Sequence, residues 1–400
     1  MEEKAYTYVI VGGGLAGASA VSGIREIDPN GPILLVSSEK YLPYDRPPLS
    51  KKLWFGKKKV EEIFLHEREF YDSIGVTLAL GCIVSDIDPA RKRVVGDGQG
   101  FHFQKLLLAT GAIPNRLQIS GATLEGICYY RFLGDYLKIK SQAGPGKSVV
   151  VIGGGFIGSE ITAALTVNNM KATMVFPAAR LCNRVFPEYL GNSIQRHYQE
   201  RGVRVLHGNK AVSIVKNNGR FLTVTESGKK IESDLVIAGV GVTPEMFLAR
   251  SADITTTDGI MVNEFLETSR AGIYAAGDNA FFHYKALDRA MRVEHWDNAL
   301  NQGKIAGRNM AGAHEPYNYL PYFFSDLFEF GYEAVGEIDT KLETYADWQE
   351  ENQKGVIYYL RDKKVKGVMM CNVWDKVEAA RELILKAEAV EPADLKSLIS

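Results

Sequence analysis

Gly12, Gly14 and Gly17 stand at the spacing G-x-G-x-x-G, directly after an apolar β-branched run and directly before residues with helical apolar spacing. Glycines in that context let the backbone turn tightly and offer free amides, backed by the positive end of a helix, to a pyrophosphate. Leu15 and Ala16 fill the variable positions. Glu39 follows about 20 residues after the last glycine, where an acid bonds ribose hydroxyls. Ser38 is equally near the strand end, so Glu39 is either that ribose ligand or a surface carboxylate. The pattern recurs at Gly153, Gly155 and Gly158, with Phe156 and Ile157 between them. Two dinucleotides are implied, one a bound electron carrier and the other a substrate. At the end of the second unit's second strand the acid is missing, and FPAAR occupies 176–180. Arg180 or Arg184 is a candidate for the 2′-phosphate of NADPH, or else a solvated loop arginine, so NADH against NADPH stays undecided.

The elements that must position these glycines follow from hydrophobic patterning. In each unit a buried parallel strand, a glycine turn and a helix are followed by a second strand, at residues 32–37 and 171–176. Residues 104–112 and 234–241 read as short buried strands ending in glycines, among them Gly111 and Gly241, at equivalent places in the two units. A third such strand, at 272–278, comes after the second unit has finished, so the chain returns to complete the first. Residues 297–310 read as one helix, with Gly312 beyond its end. From 314 the pattern changes: 356–360 and 365–370 read as an antiparallel hairpin and 377–389 as an amphipathic helix. The expected fold class is α/β, with two Rossmann-like dinucleotide-binding domains and an α+β C-terminal domain. The expected division is 1–114 with 243–313 for the first nucleotide domain, 115–242 for the second, and 314–400 for the last.

A chain of 400 residues, 46% hydrophobic and with a formal charge of -1, is long enough for two or three domains and lacks the broad basic field that nucleic acid requires. No apolar run approaches the roughly 20 residues of a membrane helix. The acidic start, without the basic segment of a secretory signal, reads as cytoplasmic. The lysines at 57–59 are a solvated loop or one acidic partner's contact. Cys82, Cys128, Cys182 and Cys371 have neither C-x-x-C nor metal-ligand spacing, so no metal is expected and the thiols read as free.

The chain resembles the ferredoxin-reductase-like flavoproteins, a branch of the glutathione-reductase fold that includes oxygenase-coupled ferredoxin reductases and apoptosis-inducing factor. The resemblance covers nearly the whole length and rests on PYDRPPLSK at 43–51, ATG at 109–111 (Ala109, Thr110, Gly111), AGD at 276–278 and RVEHWDN at 292–298. FPEYL at 186–190 and GYEAVG at 331–336 look more like the apoptosis-inducing-factor branch. The resemblance implies FAD at the first motif and NADH or NADPH at the second. It places Arg46 at the FAD pyrophosphate and Lys51 beside the flavin near N5, where a cation stabilises negative charge on the reduced ring. It pairs Lys51 with Glu160. It sets Gly277 and Asp278 at the ribityl chain, although Asp278 also suits a plain helix cap. It implies that the helix near Asp297 points its N-terminus at the flavin pyrimidine. Phe156 resembles an aromatic that moves when nicotinamide enters; a packed helix-start residue is the alternative. Glu294, His295 and Glu333 match positions on the nicotinamide side, with a structural role as the alternative for His295. Trp296 and Phe324 are aromatic walls of the flavin cavity, the family often having Trp where this chain has Phe324.

The implied activity is hydride transfer from NAD(P)H to flavin N5, with reacting atoms roughly 3 to 3.5 Å apart, then electron transfer to a small iron-sulfur protein of the ferredoxin or rubredoxin type. The absence of a cysteine pair excludes a thiol relay. The rival expectation is an NADH-responsive signalling or assembly protein with slow turnover. Oligomeric state stays open, with the last domain as the candidate surface for a homodimer.

Overall fold

A computed structural model describes residues 4–399. The chain forms two compact units: residues 4–45, Val60–Ile113 and Pro244–Pro321 make the first; Arg46–Lys59, Pro114–Thr243 and 322–399 make the second.

In the first unit the apolar runs that flank the glycine turn form a largely parallel sheet. Val76–Leu80, Ile33–Ser37, Lys4–Val11 and Gln99–Leu108 lie in that order, with the antiparallel strands Arg93–Gly96 and Val84–Asp88 beyond. Ile273–Ala275 pairs parallel with Leu106–Leu108, so the late segment does return to the first sheet. The strand expected at 104–112 is longer at its start and stops earlier: it runs Gln99–Leu108, ten residues. The cause is a tight hairpin at Asp97 and Gly98, both at positive φ, where Asp-Gly supplies the left-handed conformations such turns need. Helices Leu15–Ile27 and Trp296–Met310 pack closely in this unit. The second of these starts within a residue of the expected boundary, and Gly312 follows its end.

In the second unit a five-stranded parallel sheet has the order Arg204–Leu206, Lys171–Val175, Ser148–Ile152, Leu235–Ala238, Ile127–Tyr129. Its β-branched strands bury almost every side chain, as a sheet covered on both faces requires. A separate antiparallel sheet of five strands, Tyr322–Leu327, Phe330–Gly336, Lys364–Cys371, Lys354–Arg361 and Glu343–Glu350, carries helix Val377–Lys386. The expected hairpin is present in it. The helix expected to reach 389 ends three residues early, because Ala387 turns to φ 51 and the chain leaves to donate from Val390 N to Lys363 O at 2.9 Å. Among the described residues no helix is long and apolar enough to cross a membrane.

Candidate functional site

In the first unit the glycine turn is sterically obligatory. Gly12 has φ 131, and a Cβ there would lie 2.0 Å from Ala109 O; one on Gly17 would lie 2.0 Å from Gly12 O. Gly14 caps helix Leu15–Ile27 with no side-chain hydrogen bond, and no acid stands in the first turn, so the helix itself supplies no anion to the amides of Leu15, Ala16 and Gly17. Glu39 is half-buried and accepts from Tyr44 Oη at 2.8 Å, while Ser38 is exposed. Thr110 donates to Glu245 O at 3.0 Å and accepts from the buried Asn279, which fixes the turn through Ala109 and Gly111. Gly277, at φ 87, donates its amide to Gln302 Oε1 at 3.0 Å, and the half-buried Asp278 lends its carbonyl to Arg292. Arg292 also takes the exposed Glu294 at 2.6 Å. Burial pushes His295 down to about 4, against the pull of the neighbouring Asp278 carboxylate. Trp296 Nε1 donates to Asp45 Oδ1 at 2.7 Å.

The second unit repeats the turn. A Cβ on Gly153 would lie 2.1 Å from Gly239 O, and one on Gly158 would lie 2.3 Å from Gly153 O. Gly155, which caps helix Phe156–Val167 without a side-chain bond, faces open space. Phe156 is half-buried and edge-on to Phe323 at 5.7 Å, while Ile157 is exposed. Gly241 takes φ 88 and its carbonyl accepts from the Asn115 amide at 3.0 Å. Arg180 is half-buried, lies against Gly191 and pairs with Glu188 at 3.3 Å, whereas Arg184 is exposed.

Lys51 and Glu160 come together: Lys51 Nζ lies 3.1 Å from Glu160 Oε1, both side chains buried. The ammonium also stands 4.6 Å over the Phe324 ring. Glu333 is opposite Phe324 in the antiparallel register, and burial, reinforced by Asp375, pushes its carboxyl up. Arg46, just before the Pro47–Ser50 turn, lies over the Phe132 ring at 5.6 Å. Sequence reasoning passed over four residues around this pair. Ser50 and Ser325 both donate to Glu160 at 2.5 Å. Trp54 donates to Tyr130 Oη at 3.0 Å, and Tyr130 donates to Leu49 O at 2.5 Å, which pins the Lys51 segment to the second unit. Ser50 lies inside the PYDRPPLSK run and was open to notice; Ser325 carries no local signal.

The chain matches the family described as pyridine nucleotide-disulphide oxidoreductase over residues 6–303. The chain belongs to that family. As a member of the pyridine nucleotide-disulphide oxidoreductases it is an NAD(P)H oxidoreductase, and the family uses FAD and NAD(P)H. Residues 306–352 and 345–386 match the C-terminal domain of apoptosis-inducing factor. Apoptosis-inducing factor 1 of Dictyostelium discoideum is 34% identical over 98% of this chain and 80% of that protein. Rubredoxin-NAD(+) reductase of Pseudomonas putida is 35% identical over 80% of this chain and 83% of that protein. Among solved structures, the covalent putidaredoxin reductase-putidaredoxin complex aligns with a TM-score of 0.91 at 30% identity, covering 99% of this chain and 96% of that one.

The residues present fit both cofactors. Each glycine turn ends in an uncapped helix start, and the open space before Gly155 is a cradle that a side chain would fill. The disulphide of the family name has no counterpart, since all four cysteines are free. Burial pushes Cys128 and Cys182 up to about 12, so both stay protonated and poorly nucleophilic.

Proposed function

We propose that this chain oxidises NAD(P)H and hands the electrons to a small iron-sulfur carrier of the ferredoxin or rubredoxin type. The observation that carries the reading is the pair of uncapped glycine turns in a chain whose thiols are free and, but for the partly exposed Cys82, buried. FAD, when bound, accepts a hydride and releases electrons singly, which no side chain can do. Gly12, Gly14 and Gly17 would hold its pyrophosphate, Glu39 its ribose and Asp278 its ribityl chain; Gly153, Gly155 and Gly158 would hold the nicotinamide nucleotide. Lys51, aimed by Glu160, would supply positive charge beside the flavin. The proposed domains are 1–114 with 243–313 for FAD, 115–242 for NAD(P) and 314–400 for the C-terminal part. Two relatives are a rubredoxin reductase and a ferredoxin-NAD(+) reductase component, which supports the acceptor class. The cytoplasm is the proposed compartment, in keeping with four unpaired cysteines.

The test is anaerobic mixing of the purified yellow protein with NADH and NADPH separately. Fast bleaching of the flavin, reversed by oxidised ferredoxin or rubredoxin, is the expected result; bleaching that no iron-sulfur protein reverses would remove the acceptor class. The match to the apoptosis-inducing-factor C-terminal domain favours a second reading, an NADH-responsive assembly protein. Slow turnover with every acceptor, together with an NADH-dependent change in mass, would select it.

A further inference from the structure

Glu160 is 7% exposed and carries three donors on two oxygens. Ser50 Oγ donates to Oε2 at 2.5 Å, Ser325 Oγ donates to Oε1 at 2.5 Å, and Lys51 Nζ meets Oε1 at 3.1 Å. The donors come from separate stretches of the second unit: the Pro47–Ser50 turn with the residue after it, and the Tyr322–Leu327 strand. Both hydroxyls are themselves buried, Ser50 at 4% and Ser325 at 2% exposure. A buried carboxylate is tolerated only when its oxygens are satisfied, and the ion pair alone leaves Oε2 without a donor.

Lys51 has little else to aim it. Its other contacts are Phe324 O at 3.4 Å and the Phe324 ring, neither of which fixes a long flexible stem. The carboxylate therefore holds the lysine, and the two hydroxyls hold the carboxylate, one on each oxygen. We propose that Ser50 and Ser325 are positioning residues for the reaction: their hydroxyls clamp Glu160 in the one rotamer that holds the Lys51 ammonium in place. The inference rests on the reading that Lys51 stands beside the flavin. Losing either hydroxyl frees the carboxylate to turn, and the cation's field at the flavin weakens without any loss of nucleotide contacts.

The test uses the FAD-loaded protein carrying Ser325→Ala, Ser325→Thr, Ser50→Ala or Lys51→Met. Each is measured for flavin reduction potential by equilibrium titration, for stopped-flow hydride transfer and nucleotide KM, and for Tm. Ser325→Ala is expected to shift the potential to more negative values, in the same direction as Lys51→Met. It should slow hydride transfer about tenfold, the scale of one hydrogen bond to a charged group, with KM little changed. Ser325→Thr, which keeps the hydroxyl, should restore both. Ser50→Ala repeats the test on the other oxygen, independently of how well the strand variant folds. Wild-type potential and rate in both alanine variants, alongside a shifted Lys51→Met, would overturn the inference alone. Equal loss in Ser325→Ala and Ser325→Thr with lowered Tm would also overturn it, as a packing effect. An unmoved potential in Lys51→Met would overturn the placement of Lys51 on which it rests.

Discussion

His295 is a residue whose environment works against its charge. Desolvation dominates and pushes its imidazole down to about 4, although the Asp278 carboxylate favours the proton. The unfolded chain takes up a proton near pH 6.5, whereas the folded chain does so only near 4. Stability from this residue is thus fully present above about pH 6.5 and is lost as the pH falls toward 4. Between pH 7.5 and 5 the loss should be about 2 kcal/mol. Chemical denaturation of wild type and His295→Gln at both pH values checks it: the wild type should lose that much more than the variant, and parallel pH dependences would refute the account. His66 and His197 are also shifted down by burial, so only the difference between the two proteins isolates His295. At this scale the sequence was readable where motif spacing carries chemistry, as at Gly12, Gly17 and Gly153. It was silent on Ser325, because its contact to Glu160 spans 165 positions and a lone serine in a strand announces nothing.

At the scale of elements, the start of the first glycine-turn helix is held by a seam of small residues. A Cβ on Gly303 would lie 2.2 Å from Ala16 O, one on Gly307 2.1 Å from Ala20 O, and one on Gly23 2.1 Å from Lys304 O. Helices Leu15–Ile27 and Trp296–Met310 therefore touch backbone to backbone, and any side chain added there must push them apart. Gly303→Ala should cost about 1–3 kcal/mol and weaken FAD binding, since Ala16 sits in the first turn after Gly14. Thermal melts and flavin retention on gel filtration measure both; a variant with wild-type Tm and full flavin would break the argument. The stripe Gly303-x-x-x-Gly307 was visible in the sequence, but its partner helix was not, because pairing of elements nearly 300 residues apart leaves no periodic trace. The parallel strands beside the glycine turns were legible from their β-branched runs, whereas Val76–Leu80, Val84–Asp88, Arg93–Gly96, Tyr322–Leu327, Phe330–Gly336 and Glu343–Glu350 were not read. The misread ends, at Gln99 and Lys386, were set by a hairpin and a left-handed turn rather than by hydrophobic spacing.

Across the whole molecule, a chain of the pyridine nucleotide-disulphide oxidoreductase family carries four cysteines, all of them free. Cys128 and Cys182 lie in the second unit with thiols pushed up to about 12 by burial, and Cys371, in the C-terminal sheet, is driven up by burial too. Cys82, in the first unit, is raised by partial burial and by the nearby Asp97. No thiol is held as a thiolate, which an attacking or relaying cysteine needs. Electrons arriving from NAD(P)H are therefore expected to leave without visiting sulfur. Replacing all four cysteines by alanine should leave turnover with an iron-sulfur acceptor unchanged while costing about 1 kcal/mol at each buried position. A thiol reagent at neutral pH should label Cys82 slowly and the other three only on unfolding. Steady-state kinetics and thermal melts of the cysteine-free protein separate the two effects. Turnover abolished in a variant that still melts cooperatively and retains its flavin would mean that a thiol takes part after all.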